Sequence, residues 1–121
     1  MTGMSTILII DDDPRFRTQA RDLLETDGFV VIGDAVDGAS GLVAAASLRP
    51  DVVLLDIGLP DVEGFEVARA LALHRPAPLV VLTSSRDARA YGRRLASEPS
   101  LGFISKERIS GAAIRALVER E

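Results

Sequence analysis

The sequence predicts a single α/β domain: a parallel sheet with helices on both faces. Three observations carry that expectation. Four short aliphatic runs, Ile7-Leu8-Ile9-Ile10, Phe29-Val30-Val31-Ile32, Val52-Val53-Leu54-Leu55 and Leu79-Val80-Val81-Leu82, are continuous rather than alternating. Strands buried on both faces read this way. Helix-period apolar stripes fill the intervals between them. The chain has 121 residues, 47% of them apolar, which suits one core of ordinary size. Strand and helix alternating along the chain imply right-handed crossovers in a parallel sheet.

The elements follow in order. After the first strand, Asp13-Pro14 supplies an N-cap and a proline for the first helical position. Phe16, Ala20, Leu23 and Leu24 form the apolar face of the first helix, which should stop at Gly28. The second strand leads to a helix striped by Ala39, Leu42, Val43 and Ala46 and closed by Arg49-Pro50. The third helix carries Phe65, Ala68, Leu71 and Ala72, with His74 at the surface near its end. Ala88, Tyr91 and Leu95 mark a fourth helix, whose end the stretch Ala96-Ser97-Glu98-Pro99-Ser100 leaves open. Leu101-Gly102-Phe103-Ile104 is a weaker fifth strand, and Ser110 caps a last helix striped by Ile114, Leu117 and Val118.

Composition excludes several kinds of chemistry. There is no cysteine, so no disulfide, thiolate metal site or cysteine nucleophile. A single histidine excludes multi-histidine metal sites. The net charge of −4 disfavours a surface built for unaided nucleic-acid binding, which would want a basic stripe. No apolar run is long enough to span a membrane, and the N-terminus lacks a signal-peptide pattern, so a cytoplasmic location is expected. Of the 14 basic residues, Lys106 alone is lysine.

In a sheet of this kind, ligands bind beyond the carboxyl ends of the strands. Asp11, Asp12 and Asp13 follow the first strand and Asp56 the third; Thr83, Ser84 and Ser85 follow the fourth, and Ser105 and Lys106 the fifth. Crowded carboxylates repel, and a hard divalent cation such as Mg²⁺ relieves the repulsion. A phosphoryl group can complete the metal's oxygen shell, with the hydroxyl and the ammonium on its other oxygens. An aspartate can itself be the nucleophile, forming an acyl phosphate. Asp56 is best placed for that role, whereas Asp13, followed by Pro14, reads as a helix cap.

The segments ILIIDDDP (7–14), DVVLLDIGLPDVEG (51–64), LVVLTS (79–84) and GFISK (102–106) resemble the CheY-like receiver domain of bacterial two-component response regulators over nearly the whole chain, residues 1–121 with a core of about 6–119. The resemblance implies a flavodoxin-like (βα)5 fold with strand order 2-1-3-4-5. It implies that Asp56 accepts a phosphoryl group from a phosphohistidine on a sensor histidine kinase or histidine phosphotransfer protein. Asp11, Asp12, Asp56 and the backbone carbonyl of Gly58 would hold Mg²⁺, while Thr83 and Lys106 would engage the phosphate. Gly58, Ser84 and Ser85 would flank it. Thr83 and Phe103 would form the switch that shifts the face built from helix 4, strand 5 and helix 5. An output domain or downstream protein would read the shift, in a monomer or a homodimer.

The departures from the family pattern are specific. Glu107 follows Lys106 where proline is common, so a trans Lys106-Glu107 bond is expected. Non-proline variants look most like receivers that carry a helix-turn-helix output of the LuxR/NarL type. Phe103 replaces a commoner tyrosine, and Ser84 a small alanine. Two other readings compete: a phosphorylation-independent binding module on the same fold, and a haloacid dehalogenase-type phosphatase using the D-x-D of Asp11 to Asp13. The second lacks a later acidic pair and has Pro14 where threonine or valine is expected. Gly33, Gly38 and Gly41 loosely suggest a dinucleotide loop, but they follow the second strand, so turn and helix roles account for them.

Overall fold

Short aliphatic strands need cover on both sides, and the chain supplies it by alternation. The computed structural model describes residues 5–120; Met1 to Met4 and Glu121 of the expected domain lie outside them. The strands are β1 (Thr6–Ile10), β2 (Val30–Ala35), β3 (Val52–Asp56), β4 (Leu79–Ser84) and β5 (Gly102–Ser105). All pair in parallel in the order β2-β1-β3-β4-β5, which is the flavodoxin-like arrangement expected. β2 runs on to Ala35 through Gly33 and Asp34. As an edge strand it tolerates a polar end, so its apolar run understates its length.

Alternate strand residues face opposite helical layers. Ile7, Ile9, Val52, Leu54 and Val81 pack with Phe16, Ala20 and Leu24 of α1 (Pro14–Thr26) and Ile114 of α5 (Gly111–Glu119). Leu8, Ile10, Val53, Leu55 and Leu82 pack with Ala45 of α2 (Gly38–Leu48) and Phe65, Ala68 and Leu71 of α3 (Gly64–Leu71). The punctuation is as read: the Asp13 carboxylate accepts the Arg15 N–H at 3.0 Å, and Ser110 Oγ accepts the Ala113 N–H at 3.0 Å. Gly28, at φ +92°, turns the chain out of α1, and Arg49, at φ 51°, ends α2.

Three helical expectations need correction. Leu23 of the expected first stripe is exposed, which leaves Phe16, Ala20 and Leu24 as the buried face of α1. In α2 the buried face is Gly38, Gly41 and Ala45, with Leu42 half-buried, while Ala39, Val43 and Ala46 of the expected stripe are exposed. The helix backbone lies directly on β1, since a Cβ on Gly41 would meet Ile10 Cδ1 at 2.6 Å. Glycine therefore marks the buried face here, although it carries no hydrophobic signal. The fourth helix is reduced to a 3-10 turn at Ala88–Ala90 and one helical turn, α4 (Arg94–Ser97). Gly92, at φ +57°, separates them. Ala88 is exposed, leaving Tyr91 and Leu95 as its half-buried apolar contacts. Polar pairs add to them: Arg94 contacts both Glu63 carboxylate oxygens (2.6 and 3.1 Å), and Arg69 both Glu98 oxygens (2.7 and 2.8 Å).

Candidate functional site

Strand register brings the chemistry-bearing residues to one edge. Ile10 pairs with Leu55, so Asp11, which follows β1, stands beside Asp56 at the end of β3. Asp56 in turn pairs with Thr83, and Ser84 with Ser105, the residue before Lys106. α3 begins immediately above Asp56. A Cβ on Gly64 would overlap the Asp56 carbonyl and lie 2.8 Å from Ile57 Cα, so glycine allows this close approach.

Asp11 and Thr83 are fully buried and Asp56 is 4% exposed. Each buried carboxylate is anchored by one oxygen on a backbone amide. Asp11 Oδ1 accepts the Asp13 N–H at 2.8 Å, and Asp56 Oδ1 accepts the Gly58 N–H at 3.0 Å. The other oxygens share Lys106, whose Nζ lies 2.7 Å from Asp11 Oδ2 and 3.4 Å from Asp56 Oδ2. The Asp11 contact is the shorter of the two ion pairs, so the ammonium sits nearer the fully buried acid. The ammonium also sits 4.7 Å from the centroid of the Phe16 ring.

Burial pushes the Asp11 carboxyl above the usual aspartate value; the Asp56 charge adds to this, while Lys106 and the Asp13 amide oppose it. Burial alone would lower the Lys106 ammonium, but Asp11 and Asp56 outweigh it, and the net shift is upward.

One carboxylate oxygen from each of Asp11, Asp12 and Asp56 lies within 4.8 Å of the others, and Asp12 is open to solvent. An all-oxygen, acid-rich set of this kind fits a hard cation such as Mg²⁺. The Thr83 hydroxyl is buried without a hydrogen-bond partner. An unpaired buried hydroxyl is costly, and here it stands on the residue paired with Asp56.

Asp12, Asp56, Gly58, Ser84, Ser85 and Lys106 line one cleft of about 360 Å³. Asp13 caps α1, as read, which removes it from the D-x-D arrangement of a phosphatase. Phe103 lies outside the cleft, half-buried behind Tyr91 with ring centroids 6.1 Å apart. The cis peptide bond among the described residues is Arg75-Pro76, and Lys106-Glu107 is trans, as expected. A separate cavity of about 450 Å³, which His74, Arg49 and Asp51 help to line, opens where β3 and β4 begin and includes none of Asp11, Asp12 and Asp56.

Sequence reasoning missed Glu63, Arg86 and Tyr91 as cleft residues. For Tyr91 a signal existed: a tyrosine on an apolar stripe must find a partner for its hydroxyl when buried. For Glu63 and Arg86 none did, since lone charges in loops are ordinary.

The comparisons with known proteins agree with this geometry. The family model described as the response regulator receiver domain matches residues 7–119. BvgA of Bordetella pertussis, named as a positive transcription regulator of virulence factors, is 41% identical over 101 residues, covering 83% of this chain and 48% of BvgA. A protein-glutamate methylesterase/protein-glutamine glutaminase from Anaeromyxobacter dehalogenans is 41% identical over 108 residues, covering 88% of this chain and 31% of that protein. The chain thus spans about half the length, or less, of these curated relatives. Among solved structures, a signal receiver domain assigned to NarL of Mycobacterium tuberculosis superposes with a TM-score of 0.86 at 28% identity, covering 98% of this chain and 97% of that one.

Proposed function

The chain belongs to the response regulator receiver family, and from that premise we propose that Asp56 is a phosphoacceptor in two-component signalling. The donor is a phosphohistidine on a sensor histidine kinase or histidine phosphotransfer protein. An Asp56 carboxylate oxygen bonds to phosphorus, the phosphorus–nitrogen bond breaks, and the freed imidazole nitrogen takes up a proton. The single observation that carries this reading is the pairing of Asp56 with an otherwise unpartnered Thr83 hydroxyl, beside an ammonium shared with Asp11.

Each residue has a part in the proposal. Asp11, Asp12, Asp56 and the Gly58 carbonyl would hold Mg²⁺, which when bound offsets negative charge on the phosphoryl oxygens. Lys106 pairs with a phosphoryl oxygen once Asp56 is modified. Thr83 donates its free hydroxyl proton to another. Gly58, Ser84 and Ser85 flank the group; Gly58 and Ser85 are small and uncharged, so neither of these two orients or blocks an attacking water. Movement of Thr83 and Phe103 shifts the balance between two conformations of the face formed by α4, β5 and α5.

The domain acts on no substrate but its own phosphoryl group, in the cytoplasm. Its readout is an output domain or a partner protein, and the likeness to BvgA favours transcription. No helix among the described residues is long and apolar enough to cross a membrane.

The test is incubation with Mg²⁺ and acetyl phosphate, followed by intact-mass measurement. Wild type should gain one phosphoryl group, removable by base, and Asp56→Asn should gain none. An unlabelled wild type, or equal labelling of the variant, would falsify the assignment.

A further inference from the structure

Tyr91 is the protein's one tyrosine, and the chain has no tryptophan. Its half-buried ring meets Phe65 edge-on, with centroids 5.9 Å apart and planes at 76°, and leans on Phe103 at 6.1 Å. Its hydroxyl lies 2.6 Å from Ser84 Oγ. Ser84 is 3% exposed, and its Oγ also accepts the Arg86 N–H at 3.0 Å. The pair thus closes the turn between the end of β4 and the fourth-helix segment.

Two hydroxyls carry two protons, and only one lies in the bond between them. The Arg86 amide occupies a lone pair of Ser84, not a proton. No other acceptor meets either oxygen among the described residues. One hydroxyl proton is therefore spare, on a pair that lines the same cleft as Asp56 and Lys106.

We propose that Tyr91 is a positioning residue for the phosphoryl site. It holds the Ser84 hydroxyl at the cleft, and the spare proton of the pair turns to a phosphoryl oxygen on Asp56. The Ser84–Tyr91 bond rearranges as it does so, and the Tyr91 ring carries the change to Phe103. The route runs through a serine at the position where the family pattern has a small alanine. This inference rests on the phosphoacceptor reading of Asp56.

The experiment uses the lone tyrosine as its own reporter. Tyrosine emission of wild type is recorded with Mg²⁺ alone and after phosphorylation by acetyl phosphate, with labelling checked by mass. Emission should change beyond the effect of Mg²⁺ in wild type and stay constant in phosphorylated Ser84→Ala, whose Tyr91 lacks the partner hydroxyl. In parallel, Tyr91→Phe, which keeps the ring, should shorten the lifetime of the acyl phosphate about two- to tenfold, the range of one hydrogen bond. Circular dichroism confirms that each variant is folded. Unchanged emission in a labelled wild type, an equal emission change in Ser84→Ala, or an undiminished Tyr91→Phe lifetime overturns the proposal. A wild type that takes up no phosphoryl group overturns the Asp56 assignment and this inference with it, and the mass spectrum separates that case from the others.

Discussion

Lys106 places its ammonium 2.7 Å from Asp11 Oδ2, and the same nitrogen lies 3.4 Å from Asp56 Oδ2. One cation therefore serves two buried carboxylates. Lys106→Met should destabilise the metal-free protein by about 1–3 kcal/mol, because two acids lose their shared counter-charge. Lys106→Arg should leave the fold intact and Asp56 labelled, yet uncouple labelling from the response, since a planar fork does not replace a compact ammonium. Urea denaturation checks the first, and amide chemical shifts of α5 with and without acetyl phosphate the second.

Added Mg²⁺ should raise the melting temperature. A ligand at ten times its dissociation constant contributes about 1.4 kcal/mol, a shift of several degrees for a domain of this size. Asp12→Asn removes an exposed carboxylate of the cluster and should abolish most of the shift while leaving metal-free stability nearly unchanged. Melting curves with and without Mg²⁺ decide the matter.

Acidification should act through Asp11. Its folded carboxyl titrates above the unfolded value because it is buried, so its contribution favours folding at low pH and is lost as pH rises through the folded value. Wild type should therefore lose stability relative to Asp11→Asn across that interval. The Mg²⁺ shift should do the reverse, fading on acidification while the pH is still above the ordinary aspartate value of about 3.9. A pH series of melting curves reads both.

Thr83→Val replaces a buried, unpartnered hydroxyl with a methyl group of similar size. Metal-free stability should hold or rise by up to about 1 kcal/mol, since no hydrogen bond is lost. Labelling of Asp56 should persist, with the amide shifts of the β5–α5 face now insensitive to it. A stability loss above about 2 kcal/mol would show that the hydroxyl is bonded after all.

Gly64→Ala should destabilise by about 2–4 kcal/mol, since the added carbon meets backbone atoms of Asp56 and Ile57 that cannot turn aside. Gly92→Ala is the control: nothing lies within 4 Å of its added carbon, so its cost is that of a positive φ alone, about 1 kcal/mol. Chemical denaturation of the two variants compares crowding with backbone strain.

The strands were legible because burial on both faces leaves a continuous aliphatic record, as at Val52 to Leu55, all fully buried. The strand-end acids, Thr83 and Lys106 were legible for a related reason: the topology fixes where a strand's next residue stands. The buried face of α2 was not, because Gly38 and Gly41 pack by what they lack. The fourth helix was not, because Glu63 and Glu98, which hold it, are distant in sequence from the arginines they meet. Ser84 was read only as standing in for a small alanine; its bond to Tyr91 needed the turn between them to be seen.

Of the two arginine–carboxylate pairs that help fasten the fourth-helix segment, Arg69, Arg94 and Glu63 are open to solvent, where counter-ions compete for them, while Glu98 keeps only 13% of its side chain exposed. Electrolyte therefore tunes the polar share of this segment's attachment to α3, while the packing of Tyr91 and Leu95 on the core is insensitive to it.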